Sequence, residues 1–238
     1  AYQKVAELTQ ALRDDGHDIR RLDLGGGLGI PYTRSNEAPP LPVEYGQMIK
    51  EELGHLGCEI EIEPGRLVAG NAGVMVSKVI YVKEGENRKF AIIDAAMNDL
   101  IRPSLYDAHH GIIPVKAPDQ NDPFETYDIV GPVCETGDTF ARDRLLPPMA
   151  SDDLLVFDSA GAYGAVQAGT YNSRLLVPEV LVNGDRFDIV RRRPDLEEML
   201  QLEREKVRLL LRRDQIRWTP AGRRGTAAGG WTAAAPAR

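Results

Sequence analysis

Several short stretches of this sequence combine residue types that can do chemistry. In Leu22-Asp23-Leu24-Gly25-Gly26-Gly27-Leu28-Gly29-Ile30-Pro31-Tyr32, a strand-like run opens into a glycine loop. Consecutive glycines reach positive φ freely, so several backbone N–H groups can turn into one concavity and hold an anion such as phosphate. A dinucleotide-type loop would lead straight into a helix, which Pro31 and the polar run after it oppose. A tight turn is the plainer use of such a cluster. Glu63-Pro64-Gly65-Arg66 ends the next strand-like run. It sets a carboxylate and a guanidinium at the carboxyl end of a parallel strand, where α/β proteins build their sites; an exposed ion pair at a turn is the alternative.

Ile101-Arg102-Pro103-Ser104-Leu105-Tyr106 spaces an arginine and a phenol four apart, suited to a carboxylate ligand. Val133-Cys134-Glu135-Thr136-Gly137-Asp138 sets a thiol beside a carboxylate at a predicted strand end, and Ala160-Gly161-Ala162-Tyr163-Gly164 puts a tyrosine in a small-residue loop open to a planar ligand. The plainer readings are a buried cysteine acting as a small hydrophobe and ordinary core tyrosines. His109 and His110 are adjacent, which points their side chains apart and argues against a metal site; no metal is expected. Glu59, Glu61 and Glu63 share one strand parity for no reason evident from sequence.

The elements that must carry these residues follow from periodicity. Val5 to Leu12 and Val43 to Leu56 read as helices, each followed by a short strand, Ile19 to Leu24 and Cys58 to Ile62. Helix and strand alternating through short links implies parallel strands in an α/β layer. After about residue 74 the runs Val74 to Val82, Phe90 to Asp94, Tyr127 to Val133, Leu154 to Asp158 and Val177 to Val190 are rich in β-branched residues and predict an antiparallel β domain. Asn183-Gly184 predicts a type I′ hairpin and Gly85 to Asn87 another turn. Asp195 and Glu198 are spaced as a capping box for a helix with Leu196, Met199, Leu200, Val207 and Leu210 on one side. Beyond Arg217 there is no Leu, Ile or Val, and disorder is expected. The organisation read here is α/β over residues 1–73, antiparallel β over 74–194, and a helix with an Arg/Ala/Gly-rich tail over 195–238.

Composition narrows the classes. The 238 residues carry a net charge of −7, divided as −14 over the first 203 and +7 from Arg204 onward. So acidic a body excludes a general nucleic-acid protein, leaving salt-sensitive adhesion by the tail alone. No apolar run approaches the roughly 20 residues of a membrane span. Two cysteines, Cys58 and Cys134, make neither a disulfide framework nor a four-ligand zinc site, and a reduced, cytoplasmic protein is expected.

Taken together and in order, LDLGGGLGIPY, EPGR, RPSLY, CETGD, AGAYG and YNSR resemble the diaminopimelate decarboxylases, part of the alanine-racemase-like (fold type III) pyridoxal-phosphate decarboxylases, over about residues 1–200. The resemblance implies the last part of a (β/α)8 barrel followed by an antiparallel β-barrel or sandwich domain. It implies pyridoxal 5′-phosphate as cofactor and decarboxylation of meso-2,6-diaminopimelate to L-lysine and CO2, the last step of lysine biosynthesis. By the same resemblance Gly25, Gly26 and Gly27 hold the cofactor phosphate, with Gly65 and Arg66 nearby, and Glu63 lies against the pyridine nitrogen. Arg66, Arg102 and Tyr106 clamp the substrate's distal carboxylate, and Glu135 takes the distal ammonium. Tyr163 touches cofactor and substrate, and Cys134 is the proton donor. Cys134 and Glu135 reach the partner subunit's site, which implies a homodimer.

Two departures from the family pattern bear on the chain itself. None of the seven lysines (Lys4, Lys50, Lys78, Lys83, Lys89, Lys116, Lys206) sits in the family's Schiff-base motif, and the family's cofactor-stacking histidine is missing. A carboxyl-terminal fragment, inactive by itself, is therefore expected. The tail composition is what a shifted reading frame in a GC-rich gene would produce. The alternatives are an ornithine- or arginine-type decarboxylase of the same fold and a non-catalytic truncated fragment.

Overall fold

A computed structural model describes residues 1–33, 39–119, 121–210, 216–218 and 231–233. The chain divides into two compact units, Ala1–Arg174 and Leu175–Arg238.

The first unit begins with the expected alternation. Helix α1 (Tyr2–Asp14) leads to strand β1 (Arg21–Asp23), and helix α2 (Pro42–Leu53) leads through a 3-10 turn to strand β2 (Glu59–Glu61). The strands pair in parallel, Leu22 opposite Ile60. Ile49, Leu53 and Leu56 are buried and pack with Leu22, Leu24 and Ile60 into a small core between helices and strands. Arg21 accounts for two of the three acids, because its guanidinium bridges Glu59 (3.3 Å) and Glu61 (3.2 Å) on the neighbouring strand. All three side chains are exposed, so the bridge adds little stability and chiefly favours one register.

Past the short helix α3 (Gly65–Ala69) the chain enters a six-stranded sheet. Its strands are β3 (Met75–Glu84), β4 (Lys89–Ile93), β5 (Ile112–Pro114), β6 (Glu125–Val130), β7 (Thr139–Leu146) and β8 (Leu154–Phe157), in spatial order β5-β8-β3-β4-β6-β7. The expected antiparallel domain is in fact mixed, since β4 and β6 run parallel. The reason is topological: the segment after β4 crosses to the far edge, lays down β5 beside β8, and returns to β6 in the direction of β4. Val79, Ala91, Ile93, Leu100, Tyr127, Ile129, Leu155 and Phe157 form the core, each at most 1% exposed. Helix α4 (Arg102–Tyr106) lies on the crossover.

The second unit contains a hairpin, β9 (Glu179–Asn183) with β10 (Arg186–Arg191). Asn183 pairs with Arg186, so Gly184 and Asp185 are the turn residues. Only Gly184 has positive φ (+63°), as in a type II′ turn, which corrects the type I′ reading: the glycine is taken as the first central residue and Asn183 stays in the strand. Helix α5 (Leu196–Leu210) carries the expected capping box, with Glu198 N–H donating to Asp195 Oδ1 (2.8 Å) and Asp195 N–H to Glu198 Oε2 (2.9 Å). Of the residues beyond Arg217, where disorder is expected, 219–230 and 234–238 lie outside the described residues, whereas Trp218 and Trp231–Ala233 are in strands, which corrects the expectation there. Ile216–Trp218 pairs antiparallel with Trp231–Ala233.

Candidate active site

The glycine loop leaves β1 and is tied at once to the end of β2. Leu24 N–H donates to the Glu61 carbonyl (3.0 Å) and Glu63 N–H to the Gly25 carbonyl (2.8 Å), while Gly25 N–H is capped by Asp23 Oδ1 (2.8 Å). Gly25 (φ +68°) and Gly27 (φ +93°) adopt the left-handed backbone that the run of glycines permits. A Cβ at Gly26 would overlap the Glu63 carbonyl oxygen, so the loop can lie against Glu63 only without a side chain there. The amides of Gly26 and Gly27 find no protein acceptor among the described residues. The loop thus presents two backbone amides without a protein acceptor, against the backbone of the exposed Glu63.

Gly65 and Arg66 open α3 directly after Glu63-Pro64. The Arg66 guanidinium lies 5.7 Å from the centre of the Tyr163 ring and 6.0 Å from that of Tyr32. Tyr163 is brought there by backbone contact. Ala160 N–H donates to the Gly73 carbonyl (2.8 Å) and Gly161 N–H to the Gly70 carbonyl (3.0 Å), and Ser159 Oγ donates to Asn71 Oδ1 (2.7 Å). Tyr163 itself has φ +60°, a conformation uncommon outside glycine that turns its ring out of the loop.

Arg102, at the start of α4, is 7% exposed. Its guanidinium stands 4.6 Å over the Tyr32 ring and donates from Nη1 to His110 Nε2 (3.0 Å). Thus Arg66, Arg102 and Tyr163 form one group organised around Tyr32, a residue that sequence reasoning quoted in a motif but gave no role. The signal that could have found it is its place directly after the glycine loop and Pro31. Both His110 nitrogens are engaged with protein groups. Tyr106, four residues after Arg102, is exposed and shares no hydrogen bond with it.

Cys134 and Glu135 lie on the turn between β6 and β7. The turn is built by Asp138, whose buried carboxylate accepts from Met97 N–H (Oδ1, 2.7 Å) and Val133 N–H (Oδ2, 2.7 Å); burial pushes its pKa above the usual carboxylate range. Ser104 Oγ on α4 donates to the Gly137 carbonyl (2.5 Å), so the Arg102 helix and the Cys134–Glu135 turn are fastened together. A cavity of about 420 Å³ lies between them, lined among others by Ser104, His109, Thr136 and Arg144. Glu135 is exposed and accepts a long bond from Tyr171 (3.4 Å), and Cys134 is an exposed free thiol. Among the described residues, no hydrogen bond or ion pair joins Cys134 or Glu135 to Arg66, Tyr163 or the glycine loop.

The chemistry of the residues present fits an anionic, planar, aromatic cofactor: backbone amides without a protein acceptor for a phosphate, the exposed Glu63 after them in the chain, and a guanidinium–tyrosine group.

Comparison with known proteins bears on the same residues. Residues 12–161 match the family "Pyridoxal-dependent decarboxylase, C-terminal sheet domain". The chain is 47% identical over 207 residues to a diaminopimelate decarboxylase of Zymomonas mobilis, covering 86% of this chain and 48% of that protein. It is 47% identical over 204 residues to one of Vibrio cholerae, covering 85% and 48%. The chain therefore spans about half the length of these relatives. Among solved structures it is similar to a diaminopimelate decarboxylase of Helicobacter pylori complexed with L-lysine (TM-score 0.78, 38% identity, covering 86% of this chain and 50% of that one). An arginine decarboxylase of Paramecium bursaria Chlorella virus shares the fold alone (TM-score 0.63, 19% identity, covering 72% and 48%).

Proposed function

This chain belongs to the pyridoxal-dependent decarboxylase family, and from that premise we propose that it carries the glycine-loop and sheet portion of an enzyme converting meso-2,6-diaminopimelate to L-lysine and CO2. One observation supports this substrate over a diamino monoacid: a second guanidinium, the buried Arg102, joins Arg66 around Tyr32. Diaminopimelate keeps a carboxylate at its unreacted end, whereas ornithine and arginine have none there. A guanidinium with N–H donors left over suits a carboxylate.

In this reading pyridoxal phosphate, when bound, supplies the sink for the electron pair left as CO2 departs. Gly26 and Gly27 would hold its phosphate through backbone amides, with Gly65 and Arg66 close by; Gly25 would shape the turn, since its own N–H is taken by Asp23 Oδ1. Glu63 would keep the ring nitrogen protonated. Arg66, Arg102 and Tyr106 would fix the distal carboxylate, Glu135 the distal ammonium, and Tyr163 would touch both cofactor and substrate. Cys134 Sγ would give its proton to the carbon that loses CO2 and regain one from solvent.

The exposure of Cys134 and Glu135, and their separation from the Arg66 group in the bonding pattern, favour a homodimer in which this turn serves the partner's site. No helix among the described residues is long and apolar enough to cross a membrane; a reduced, cytoplasmic setting is part of the proposal. We further read residues 1–73 as the closing part of a (β/α)8 barrel, 74–194 as the sheet domain and 195–238 as an appended helix and tail.

The test is substrate choice by the full-length protein that carries this chain, supplied with pyridoxal phosphate. CO2 release from diaminopimelate and not from ornithine or arginine is expected. Release from either of those but not from diaminopimelate would overturn the assignment and leave the family membership intact.

A further inference from the structure

His110 is 1% exposed and carries no part of the chemistry described so far. It lies eight residues after Arg102, beyond the end of α4, where Asp107 takes a left-handed conformation (φ +52°) and turns the chain back. Its Nδ1 is 2.9 Å from the Asp158 carbonyl oxygen. A carbonyl only accepts, so Nδ1 carries the hydrogen. In a neutral ring Nε2 is then a lone-pair acceptor, and it faces Arg102 Nη1 at 3.0 Å. The Tyr32 ring stands edge-on to the imidazole, centroids 5.5 Å apart, and beneath the guanidinium. One hydrogen bond from the side and one ring face beneath hold the guanidinium plane, leaving its other N–H donors for a ligand.

We propose that His110 is the positioning residue for Arg102: a neutral Nδ1–H imidazole that hands the Asp158 carbonyl's orientation on to the guanidinium meeting the ligand's distal carboxylate. The inference rests on the reading of Arg102 given above. An imidazolium could not do this, because it would set N–H against N–H and charge against charge. The groups around the ring agree. Besides Arg102, they are the neighbouring His109 and Arg144, whose Nη1 donates to the His110 carbonyl (3.1 Å). Burial first, then these positive charges, press the His110 pKa below its ordinary value, and only the Asp158 carbonyl opposes them. A merely space-filling residue here would be apolar, yet an apolar side chain would leave a buried arginine N–H without its acceptor.

The experiment uses the full-length enzyme loaded with pyridoxal phosphate and compares His110→Phe, His110→Gln and Arg102→Ala with the parent. Three quantities are read: KM for diaminopimelate, inhibition by L-lysine, and inhibition by 1,5-diaminopentane, which is lysine without its carboxylate. His110→Phe should raise KM and the lysine inhibition constant about tenfold, with kcat and the diamine constant nearly unchanged. His110→Gln, whose Oε1 can accept from Arg102, should recover most of the loss. Equal weakening of lysine and diamine, or no advantage of Gln over Phe, would show a structural role only and overturn the inference.

If Arg102→Ala fails to separate the two ligands, the carboxylate reading of Arg102 is what fails. The tautomer is then decided directly by 15N NMR of the His110 ring at pH 7. Protonated Nδ1 with bare Nε2, the latter shifted in Arg102→Ala, supports positioning. An Nε2–H or a charged ring rejects it, whether or not the Phe variant folds.

Discussion

The Arg102 guanidinium rests 4.6 Å over the Tyr32 ring, and the phenolic oxygen of that same tyrosine is buried with no hydrogen-bond partner among the described residues. The ring face and the hydroxyl therefore make opposite contributions. The face attracts a cation, by about 0.5–2 kcal/mol depending on desolvation. The unpaired hydroxyl costs free energy relative to Phe. In the ligand-free protein, Tyr32→Phe should leave urea stability unchanged or slightly raised, and Tyr32→Leu should lower it by about 1–2 kcal/mol. Equal losses in both would show that the hydroxyl, and not the ring face, holds the arginine group.

Asp138 builds the turn that displays Cys134 and Glu135, accepting from Met97 N–H and Val133 N–H with separate oxygens. Replacing it by Asn keeps one acceptor and turns an NH2 toward an amide N–H. Both Asp138→Asn and Asp138→Ala should therefore destabilise by about 1–3 kcal/mol, the range for a buried group left unpaired. Hydrogen exchange at Val133 and Met97 should speed up in both. Full protection in the Asn variant would mean that the turn holds without the paired acceptors.

The loop carrying Tyr163 approaches the 69–73 segment backbone to backbone. A Cβ at Gly161 would overlap the Ala69 carbonyl oxygen and lie 2.7 Å from Gly73 N. Because the obstacle is main chain and not a flexible side-chain end, Gly161→Ala should cost about 1–3 kcal/mol or more and displace Tyr163 from Arg66. Pyridoxal-phosphate affinity of the full-length enzyme, read from cofactor absorbance, should fall with it. A variant with unchanged melting and unchanged cofactor affinity would contradict the close approach.

His110 has a consequence for acid stability as well. Its pKa in the folded protein is held below the unfolded value of about 6.5. The unfolded chain therefore binds the proton first. The stability associated with the neutral ring is fully present above about pH 6.5 and is lost progressively as pH falls toward the folded-state pKa. Melting between pH 7.5 and 5 should slope downward with acidification in the parent and less steeply in His110→Phe. Parallel slopes would assign the acid sensitivity to other groups.

What could be read in advance was local. The glycine loop, the capping box of Asp195 and Glu198, and the alternation of α1, β1, α2 and β2 each depend on residues within a few positions of one another, and each is present. The grouping of Tyr32, Arg66, Arg102 and Tyr163 spans more than 130 residues, and no local pattern encodes it. His110 looked like half of a weak metal motif because adjacency says only that two rings diverge. It does not say that one of them enters the core. Glu59 and Glu61 had no visible partner because Arg21 meets them from a strand about 40 residues earlier, a separation no local pattern reads. The hairpin turn was misassigned by one residue, since a single glycine serves either primed turn and cross-strand pairing decides which.

The parallel pairing of β4 with β6 carries a consequence of its own. A sheet made only of successive hairpins would offer nothing between β4 and β6 but a tight loop. Here the excursion over residues 94–124 holds Arg102, Tyr106 and His110, and it is anchored to the sheet by β5 at one edge and returned to it at β6. It is built as a cassette: the ladder supplies the mounting, and in the proposed function the inserted passage supplies the contacts that choose a ligand. Selectivity could thus diverge by rewriting this one passage, while the strands beneath it keep their register.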